Sequence, residues 1–539
     1  MADLTEQAAQ RMIAAYGEPF IRYVFALQNN KPIVEAVQAT STELTLILQS
    51  AIDQAPYSGN GDIDMTFTAM GSFGNYRADL GGSLANYLRK LAGGVLPKTP
   101  SDKDPLVQEI REIAADTWPT LLLLAPKQGP RTFWMSTSVG VFSHPRTVNA
   151  CRAFMADPRL TPLFPEAPSI ESATEISDLL QVSANWILSS GGGGSRQLIS
   201  VIDAIIFNAA VLAQLDGSRL DHSGMMTAIP KSVEFFRKLA TKKPVDVPAI
   251  IGFSGIQIKQ DENLKFGDDE LRAIRPVEKD LLLNEADRVT SVFATQFAVQ
   301  LLDMSSSKPG EETDEFMRTW NKYSARIQES HKTLQRRIDR VRLSILLASD
   351  GVEHLATSEV TRYIADPTQQ GGISSWQMDQ RSPVGYALRD GQSEDIARLY
   401  GLIQEKHPES LDIAMKRILS AVSQRWEATD AFIDAVVVWE NAFGTTSETT
   451  FRVTGAIAKL LEPGSVEQRA KLQKELKSLY ETRSRLVHGA KEPKLEEAWE
   501  QRERAIAIAL DILRKLYSER PDLLELTSDL RGAQLLLEG

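Results

Sequence analysis

The sequence predicts an α+β protein that is mainly helical and divided into three regions. Long stretches repeat apolar residues at three- and four-residue steps, which is typical of amphipathic helices. Short apolar and alternating runs between residues 245 and 305 indicate strands. A run of four glycines at residues 191–194 separates the first region from the second. A chain of 539 residues is long enough for two to four domains with well-buried cores.

The first region, residues 1–190, is predicted to be a mixed domain of unknown role. The apolar spacing indicates helices at residues 4–16, in a segment through 37, and at 42–53, 84–91 and 105–117. Residues 62–70 alternate polar and apolar side chains, as a half-buried strand would, and residues 121–124 and 133–142 are expected to be buried strands. No recognised catalytic or binding motif occurs in this region.

The second region, residues 196–390, is predicted to contain the β-rich segment 245–305 and a long helix at 313–348. The glycine run precedes an apolar core helix at 197–215, and such a run can cradle phosphate. The Lys-Ser/Thr of a phosphate-binding loop is absent, with Arg196 in its place, so we expect a mobile loop at 189–195. Ser254 is one residue short of a nucleophile elbow and is interpreted as a turn residue. Residues 365–395 are expected to be a loop or linker.

The third region, residues 394–525, carries the strongest helical signal. The apolar repeat between residues 411 and 443 predicts one helix of roughly 50 Å at 1.5 Å per residue. A second helix is expected at 449–461, and Ser465 has the capping pattern of a third. A final amphipathic helix follows Pro493 and ends before Pro521. Four helices with short links predict a bundle.

One segment of this bundle, residues 480–489, contains residue types suited to phosphodiester chemistry. Arg483 lies in the middle of an apolar helix face, and a charge there requires a carboxylate, a polar cleft or a phosphate. His488 precedes Gly489, the residue type that ends helices in the left-handed conformation. Arg can neutralise a pentavalent phosphate while His moves a proton. On an ideal helix the two side chains are roughly 140° apart, so both reach one ligand only if the helix unwinds or a second copy completes the site.

The same spacing occurs once more, between Arg326 and His331. No glycine follows that histidine, and residues 321–337 are polar, which is typical of a solvated helix. We therefore favour the Arg483 segment as the site.

The segment Leu479-Tyr-Glu-Thr-Arg-Ser-Arg-Leu-Val-His-Gly, preceded by the helix that ends Val437-Val-Trp-Glu-Asn-Ala-Phe443, closely resembles the Apea-like branch of the HEPN family. The resemblance covers about residues 394–521 and extends more loosely back to about residue 245. HEPN domains are helical bundles, and many are metal-independent ribonucleases of toxins and antiviral defence. The resemblance therefore implies an endoribonuclease that needs no cofactor. Because a second copy could complete the site, we expect a homodimer or a higher homo-oligomer.

The resemblance also implies roles for individual residues. Arg483 and His488 match the catalytic Arg and His, and Glu440 matches the acidic position on the preceding long helix, from which it would orient Arg483. Catalytic members often have Asn, Asp or His directly after the Arg, where this chain has Ser484. A noncatalytic module for dimerisation, nucleotide binding or scaffolding is thus an alternative. In an antiviral or toxin effector, the N-terminal half would sense a phage-derived or nucleotide trigger.

The formal net charge of −11 argues against a protein that coats nucleic acid, because nonspecific affinity comes largely from phosphate neutralisation. Any RNA contact must therefore be local. A basic cluster does surround the motif, and these residues are the candidate RNA-binding side chains: Lys471, Lys474, Lys477, Arg485 and Lys491. The alternative is a solvated helix face paired with neighbouring glutamates.

Cysteine content and the apolar runs indicate the compartment. One cysteine, Cys151, excludes an internal disulfide and a Cys-rich zinc site, and we expect no metal. The N-terminal residues lack the basic and apolar segments of a secretion signal. Unbroken apolar runs fall short of the ~20 residues that span a bilayer. The prediction is a cytoplasmic protein without a membrane partner.

Overall fold

The computed structural model describes the following residues: 2–27, 31–39, 42–54, 73–123, 138–216, 221–282, 287–303, 313–349, 356–369, 372–376, 385–444, 449–489 and 493–538. Within them the fold is mainly helical, with one six-stranded sheet and smaller sheets of two and three strands. The predicted α+β class with mostly helical content is therefore confirmed.

The N-terminal region is a helical assembly with one small hairpin. Its helices are α1 (Ala2–Tyr16), α2 (Glu18–Val24), α3 (Ile33–Ala39), α4 (Thr42–Gln54), α5 (Leu84–Leu91), α6 (Pro105–Thr117), α7 (Ser138–Ser143) and α8 (Thr147–Ala156), and its strands are β1 (Tyr76–Arg77) and β2 (Gly82–Ser83). Local signals set several boundaries. The carboxylate of Asp104 accepts hydrogen bonds from Leu106 N and Val107 N at the start of α6, and Pro105 occupies the first turn, where its missing N–H costs nothing.

Two strands expected in this region are wrong where the structure describes them. Residues 118–122 form a 3-10 helix that continues α6, with Trp118 and Leu121 buried. Ser138–Ser143 is helical, and Gly140 lies so close to α6 that an added Cβ would be 2.5 Å from Thr117 Cγ2. A short apolar run does not distinguish a buried strand from a buried helical turn. In both segments, packing against the neighbouring helices favours the helical turn. The strand expected at 62–70 lies outside the described residues.

The middle region begins with a hairpin and two long helices: β3 (Ser183–Leu188), β4 (Gly193–Gln197), α9 (Leu198–Leu215) and α10 (His222–Leu239). The expected loop at 189–195 is wrong in part, because β4 starts within the glycine run and pairs antiparallel with β3, Gly193 opposite Ile187. Gly191 and Gly194 have φ values of +84° and +102°, which favour glycine. The turn therefore needs glycine for its conformation.

The central sheet has six strands in the order β12-β11-β5-β9-β8-β7, and each neighbouring pair is antiparallel. The strands of this region and one short helix are β5 (Val245–Ser254), β6 (Ile256–Gln257), β7 (Asn263–Phe266), β8 (Asp269–Arg272), α11 (Pro276–Leu281), β9 (Ser291–Val299), β10 (Leu301–Asp303), β11 (Ser358–Ile364), β12 (Ile373–Trp376) and β13 (Tyr386–Ala387). β10 extends the β3–β4 hairpin to three strands, and β6 pairs parallel with β13. The predicted β-rich segment is present, whereas β12 and β13 lie in what was expected to be a linker.

Helix α12 (Thr313–Leu347) links the central sheet to the C-terminal helices. Arg337 Nη1 donates to Gln296 O on β9 at 3.0 Å. At the other end, Leu347 O accepts a hydrogen bond from Arg514 Nε at 2.9 Å. The interpretation of residues 321–337 as a solvated helix is wrong at His331, whose ring is partly buried with Nε2 2.9 Å from Ser190 O.

Helix α9 is the one helix in the described part of the chain that is long and apolar enough by composition to span a membrane. Its 18 residues have a mean hydropathy of 2.0, and 78% of that segment is buried inside the fold. It is the core helix that the sequence predicts at 197–215.

The C-terminal region is a bundle of α13 (Gln392–Lys406), α14 (Asp412–Ser423), α15 (Ala428–Phe443), α16 (Thr449–Leu461), α17 (Val466–Val487), α18 (Leu495–Ser518) and α19 (Ser528–Leu537). Helix α15 lies at its centre and contacts α14, α16, α17, α18 and α19. Trp439 and Phe443 of α15 are fully buried there. The helical bundle expected from the sequence is thus present, with more helices than the four foreseen.

The single helix expected at residues 411–443 is wrong, because residues 424–427 turn and α14 packs against α15. Asp434, almost fully buried on α15, stabilises this turn. Arg417 Nη1 donates to its Oδ1 and Arg425 Nε to its Oδ2, both at 2.7 Å. Trp426, an aromatic residue within the predicted apolar repeat, is exposed.

Candidate functional site

The candidate site is built on α17, whose ends follow from the sequence. Ser465 Oγ accepts a hydrogen bond from Gln468 N at 3.3 Å, which caps the first turn. The helix runs without interruption to Val487, and His488 occupies the C-cap position. Gly489 has a φ of +80°, and its N–H donates to Leu486 O at 3.1 Å. The glycine stop expected after the histidine is therefore present.

Arg483 is held by a carboxylate from the central helix of the bundle. Its Nη2 lies 3.1 Å from Glu440 Oε2, and the two side chains are 22% and 23% exposed. This is the partner that the sequence predicts for a guanidinium on an apolar face. Because each side chain keeps about a fifth of its surface accessible, a phosphate can approach the pair from solvent.

Tyr480 joins this ion pair, which makes it a site residue that the sequence reasoning missed. Its hydroxyl donates to Glu440 Oε1 at 2.6 Å, so the two carboxylate oxygens are held by two different donors. Burial, reinforced by the hydrogen bond to Glu440, raises the pKa of the Tyr480 phenol, which therefore stays protonated as a donor. Tyr480 is three residues before Arg483, and that spacing on one helix face is the signal that could have identified it.

The Arg483 guanidinium retains donor capacity after binding Glu440. Its Nε is buried and has no hydrogen-bond acceptor within the described part of the chain. A buried N–H without an acceptor costs about 1–3 kcal/mol. The guanidinium would gain from a phosphoryl oxygen placed beside it.

His488 lies exposed at the C-cap of α17. By helix geometry, an offset of five residues rotates it by roughly 140° from Arg483. The two side chains of one chain are therefore expected to project from different faces of the helix. Ser484, directly after the arginine, offers its carbonyl oxygen to His488 N at 3.2 Å.

The candidate RNA-binding residues share the face of His488 rather than that of Arg483. Four of the candidates lie on α17: Lys471, Lys474, Lys477 and Arg485. At 100° per residue, they project roughly 120° to 240° around the helix axis from Arg483, and His488 falls in the same range. All four are exposed. They form a basic face of α17 that leads toward the histidine. Lys491 lies outside the described residues.

A cavity of about 760 Å³ lies beside this basic face, between α16 and α17. Lys474 and Lys477 line it together with Phe451, whose ring is 64% exposed. Lysines that neutralise phosphates next to an aromatic ring on which a base can stack are a recurring arrangement for single-stranded nucleic acid. The cavity therefore suits a strand of RNA.

The structure gives no residue set for a metal ion in the ranges it describes, where no group of three or more His, Cys, Asp or Glu side chains could hold one. Cys151 is buried, and burial raises the pKa of its thiol to about 12. The thiol is therefore not a reactive nucleophile at neutral pH.

Comparison with known proteins gives no match to this chain, whether with family models, with curated protein sequences or with solved structures. The proposed function therefore rests on the site itself and on the sequence resemblance of about residues 394–521.

Proposed function

We propose that the C-terminal bundle is a metal-independent endoribonuclease of the HEPN type. The observation that carries this proposal is Arg483, an always-charged side chain held by Glu440 on an otherwise apolar helix face and still accessible to solvent. Arg483 and His488 are the catalytic residues. Glu440 and Tyr480 are positioning residues, since they act through the guanidinium.

In the proposed reaction, the His488 imidazole removes the proton of a ribose 2′-hydroxyl. The 2′-oxygen attacks the adjacent phosphorus, and Arg483 stabilises the negative charge that develops on the phosphoryl oxygens. The bond to the 5′-oxygen of the next nucleotide then breaks. That oxygen takes up a proton from water, and the imidazolium of His488 returns its proton to the solvent. The products are a 2′,3′-cyclic phosphate and a 5′-hydroxyl end.

The site is proposed to form between two copies of the chain. Because Arg483 and His488 of one copy project roughly 140° apart, one phosphate is reached by Arg483 of one copy and by the partner subunit's His488. Val487 and Leu495, which flank His488 in the chain, are 51% and 73% exposed. A twofold contact would cover these apolar side chains and create two equivalent sites.

The RNA strand is proposed to follow the basic face of α17. Lys471, Lys474, Lys477 and Arg485 would neutralise successive phosphates, and the face leads to His488. The exposed ring of Phe451 would stack on a base. Since the chain as a whole is acidic, RNA would be held at this face only.

The biological role proposed is that of a cytoplasmic effector in antiviral defence or a toxin that cleaves cellular RNA such as tRNA. The first half of the chain would keep the nuclease inactive until it senses a trigger. The overall negative charge supports this role, because it limits nonspecific attraction to RNA.

A second candidate function is a noncatalytic helical module that dimerises or scaffolds a larger assembly. Two observations favour it. Glu440 already neutralises the charge of Arg483, as in an ion pair that only links two helices. In addition, Ser484 stands where catalytic members of the family often have Asn, Asp or His.

Expression of the protein in bacteria separates these candidates. The ribonuclease proposal expects growth arrest that His488→Ala and Arg483→Ala both abolish. The control is Arg469→Ala, which removes an arginine from the first turn of the same helix, where it binds Glu462 O and Pro463 O. Cleavage of total RNA by the purified protein should continue in EDTA and leave cyclic phosphate ends. If both variants arrest growth as the wild type does, this site is not the cause.

A further inference from the structure

A second polar cavity, of about 740 Å³, lies in the middle region, far along the chain from α17. It is formed where the β3–β4 hairpin, the first turn of α9, helix α12 and the β11–β12 edge of the central sheet meet. Its wall includes two arginines and a histidine, Arg196, Arg362 and His331, and the glycine turn at 191–192. The volume is in the range of small-molecule sites, about 300–1,000 Å³.

The charged side chains that line the cavity are basic. None of the described residues that line it is Asp or Glu. The buried carboxylate of Asp366 accepts hydrogen bonds from Ser190 Oγ at 2.5 Å and Thr368 Oγ1 at 2.7 Å, and burial raises its pKa. Arg362 is paired with the buried Glu359, whereas no ion pair joins Arg196 to a carboxylate among the described residues.

Two nitrogen donors in the wall lack acceptors. Arg196 Nε and Gln369 Nε2 are buried and have no hydrogen-bond partner among the described residues. Arg196 Nη2 donates only to a carbonyl, Gly193 O, at 3.1 Å. Burial lowers the pKa of Arg196, which means that its charge is poorly solvated where it stands. Donors and a poorly solvated cation call for a ligand rich in negatively charged oxygens.

The other two basic side chains are held rigidly. Glu359 accepts from Arg362 Nε at 2.8 Å and from Nη2 at 3.0 Å, and Gln335 Oε1 accepts from Nη2 at 2.7 Å. His331 Nε2 bonds Ser190 O, and burial lowers the pKa of the ring, so the imidazole serves as a hydrogen-bonding group rather than a fixed charge. A site whose side chains are fixed in advance binds with less loss of entropy.

The backbone adds a further positive element. Helix α9, which is 18 residues long, begins at this wall with no side-chain cap, and Ser200 of its first turn lines the cavity. The N-terminus of a helix carries a partial positive charge and free N–H groups, which favour phosphate. At Gly192 an added Cβ would be 2.4 Å from Gln369 Nε2, so the turn packs directly against this side chain.

We propose that this cavity binds a phosphorylated small molecule, with the phosphate between Arg196, Arg362 and the first turn of α9. Ile364 and Ile373 supply an apolar part of the wall for the organic portion of the ligand. The site is independent of the ribonuclease proposal, because it shares no residue with α17. The glycine turn and His331, the histidine of the second Arg-x4-His segment, meet here.

Calorimetric titration of the purified full-length protein tests the site. The probes are inorganic phosphate, pyrophosphate and a set of nucleoside mono-, di- and triphosphates. We expect binding of at least one probe, weakened about tenfold or more in Arg196→Gln and in Gln369→Ala, because each variant removes a donor to the anion. Pyrophosphate that binds as tightly as any nucleotide assigns the affinity to the phosphates, whereas tighter nucleotide binding assigns part of it to the apolar wall.

The matched control is Arg336→Gln on the same helix as His331. Like Arg196→Gln, it removes one positive charge. The Arg336 side chain pairs with Glu329 at 3.4 Å and does not line the cavity. The control should bind as the wild type does. The proposal is overturned if no probe binds at millimolar concentration, or if both cavity variants bind as tightly as the control. Should Arg196→Gln fail to fold, which circular dichroism would reveal, Gln369→Ala alone decides.

Discussion

Replacing Glu440 by Gln tests whether the carboxylate positions Arg483. The side chain keeps its size and one carbonyl oxygen, but it loses the charge and the second acceptor. In the wild type, Tyr480 Oη donates to one carboxylate oxygen at 2.6 Å and Arg483 Nη2 to the other at 3.1 Å. The amide cannot accept both bonds on separate oxygens, so the guanidinium is left without its charged partner.

The size of the effect follows from the exposure of the pair. A hydrogen bond to a charged group contributes about 1.5–3 kcal/mol, and an exposed ion pair about 0.2–1 kcal/mol. Since the two side chains are 22% and 23% exposed, we expect a loss of about 1–2 kcal/mol. For a helical bundle of roughly 150 residues, that lowers the Tm by roughly 2–8 °C. The cleavage rate constant should fall about tenfold or more, with a smaller change in KM, because the arginine loses its orientation.

Scanning calorimetry and a cleavage assay on total RNA measure the two effects. The matched control is Glu481→Gln, an identical change on α17 at a carboxylate that lies 3.8 Å from Lys477 with both side chains mostly exposed. The control should leave the Tm within about 1 °C of the wild type. If Glu440→Gln behaves like the control in both assays, the carboxylate does not hold Arg483 and the reasoning fails.

Three further changes probe the same helix. Tyr480→Phe removes one hydrogen bond to the shared carboxylate, so calorimetry should show a loss of about 0.5–1.5 kcal/mol, with a smaller fall in cleavage than for the amide variant. Gly489→Ala should lower the free energy of unfolding by about 1 kcal/mol in the same measurement. The loss comes from its φ of +80°, which disfavours an L side chain, and crowding adds nothing because an added Cβ meets nothing within 4 Å. The hydrogen bond from Arg504 lowers the pKa of Glu475. The ionised Glu475 carboxylate therefore stabilises the fold at neutral pH, and this stabilisation is lost as pH falls through the lowered pKa. The Tm difference between wild type and Glu475→Gln should therefore vanish in acid; a difference that grows instead would refute the link.

Helix boundaries were predictable where a local signal sets them. Asp104 and Pro105 start α6, Ser465 starts α17, and Gly489 ends it, because each satisfies backbone groups of its own helix end. The apolar repeat at 411–443 failed for the opposite reason. The break depends on Asp434 binding two arginines on either side of the turn, a tertiary contact that periodicity does not contain.

The two candidate sites differ in the same respect: one depends on a local signal in the sequence and the other on tertiary contacts. The contact between Glu440 and Arg483 was predictable because a charge on an apolar face requires a partner, and the nearest acidic residue on the neighbouring stripe supplies it. The second cavity was not predictable. Arg196, His331 and Arg362 are far apart in the chain, and only the hairpin, the long helix and the central sheet together bring them to one wall.

The most direct test of the central claim is the initial rate at which four preparations cleave the same RNA: wild type, Arg483→Ala, His488→Ala, and an equimolar mixture of the two variants allowed to exchange subunits. Each variant alone should lose about a hundredfold or more, as expected when a catalytic group is removed. In the mixture, half of the dimers combine both variants and keep one intact site, so about a quarter of the wild-type rate should return. Single variants that cleave like the wild type, or a mixture no more active than its components, would contradict a site shared between Arg483 and the partner subunit's His488.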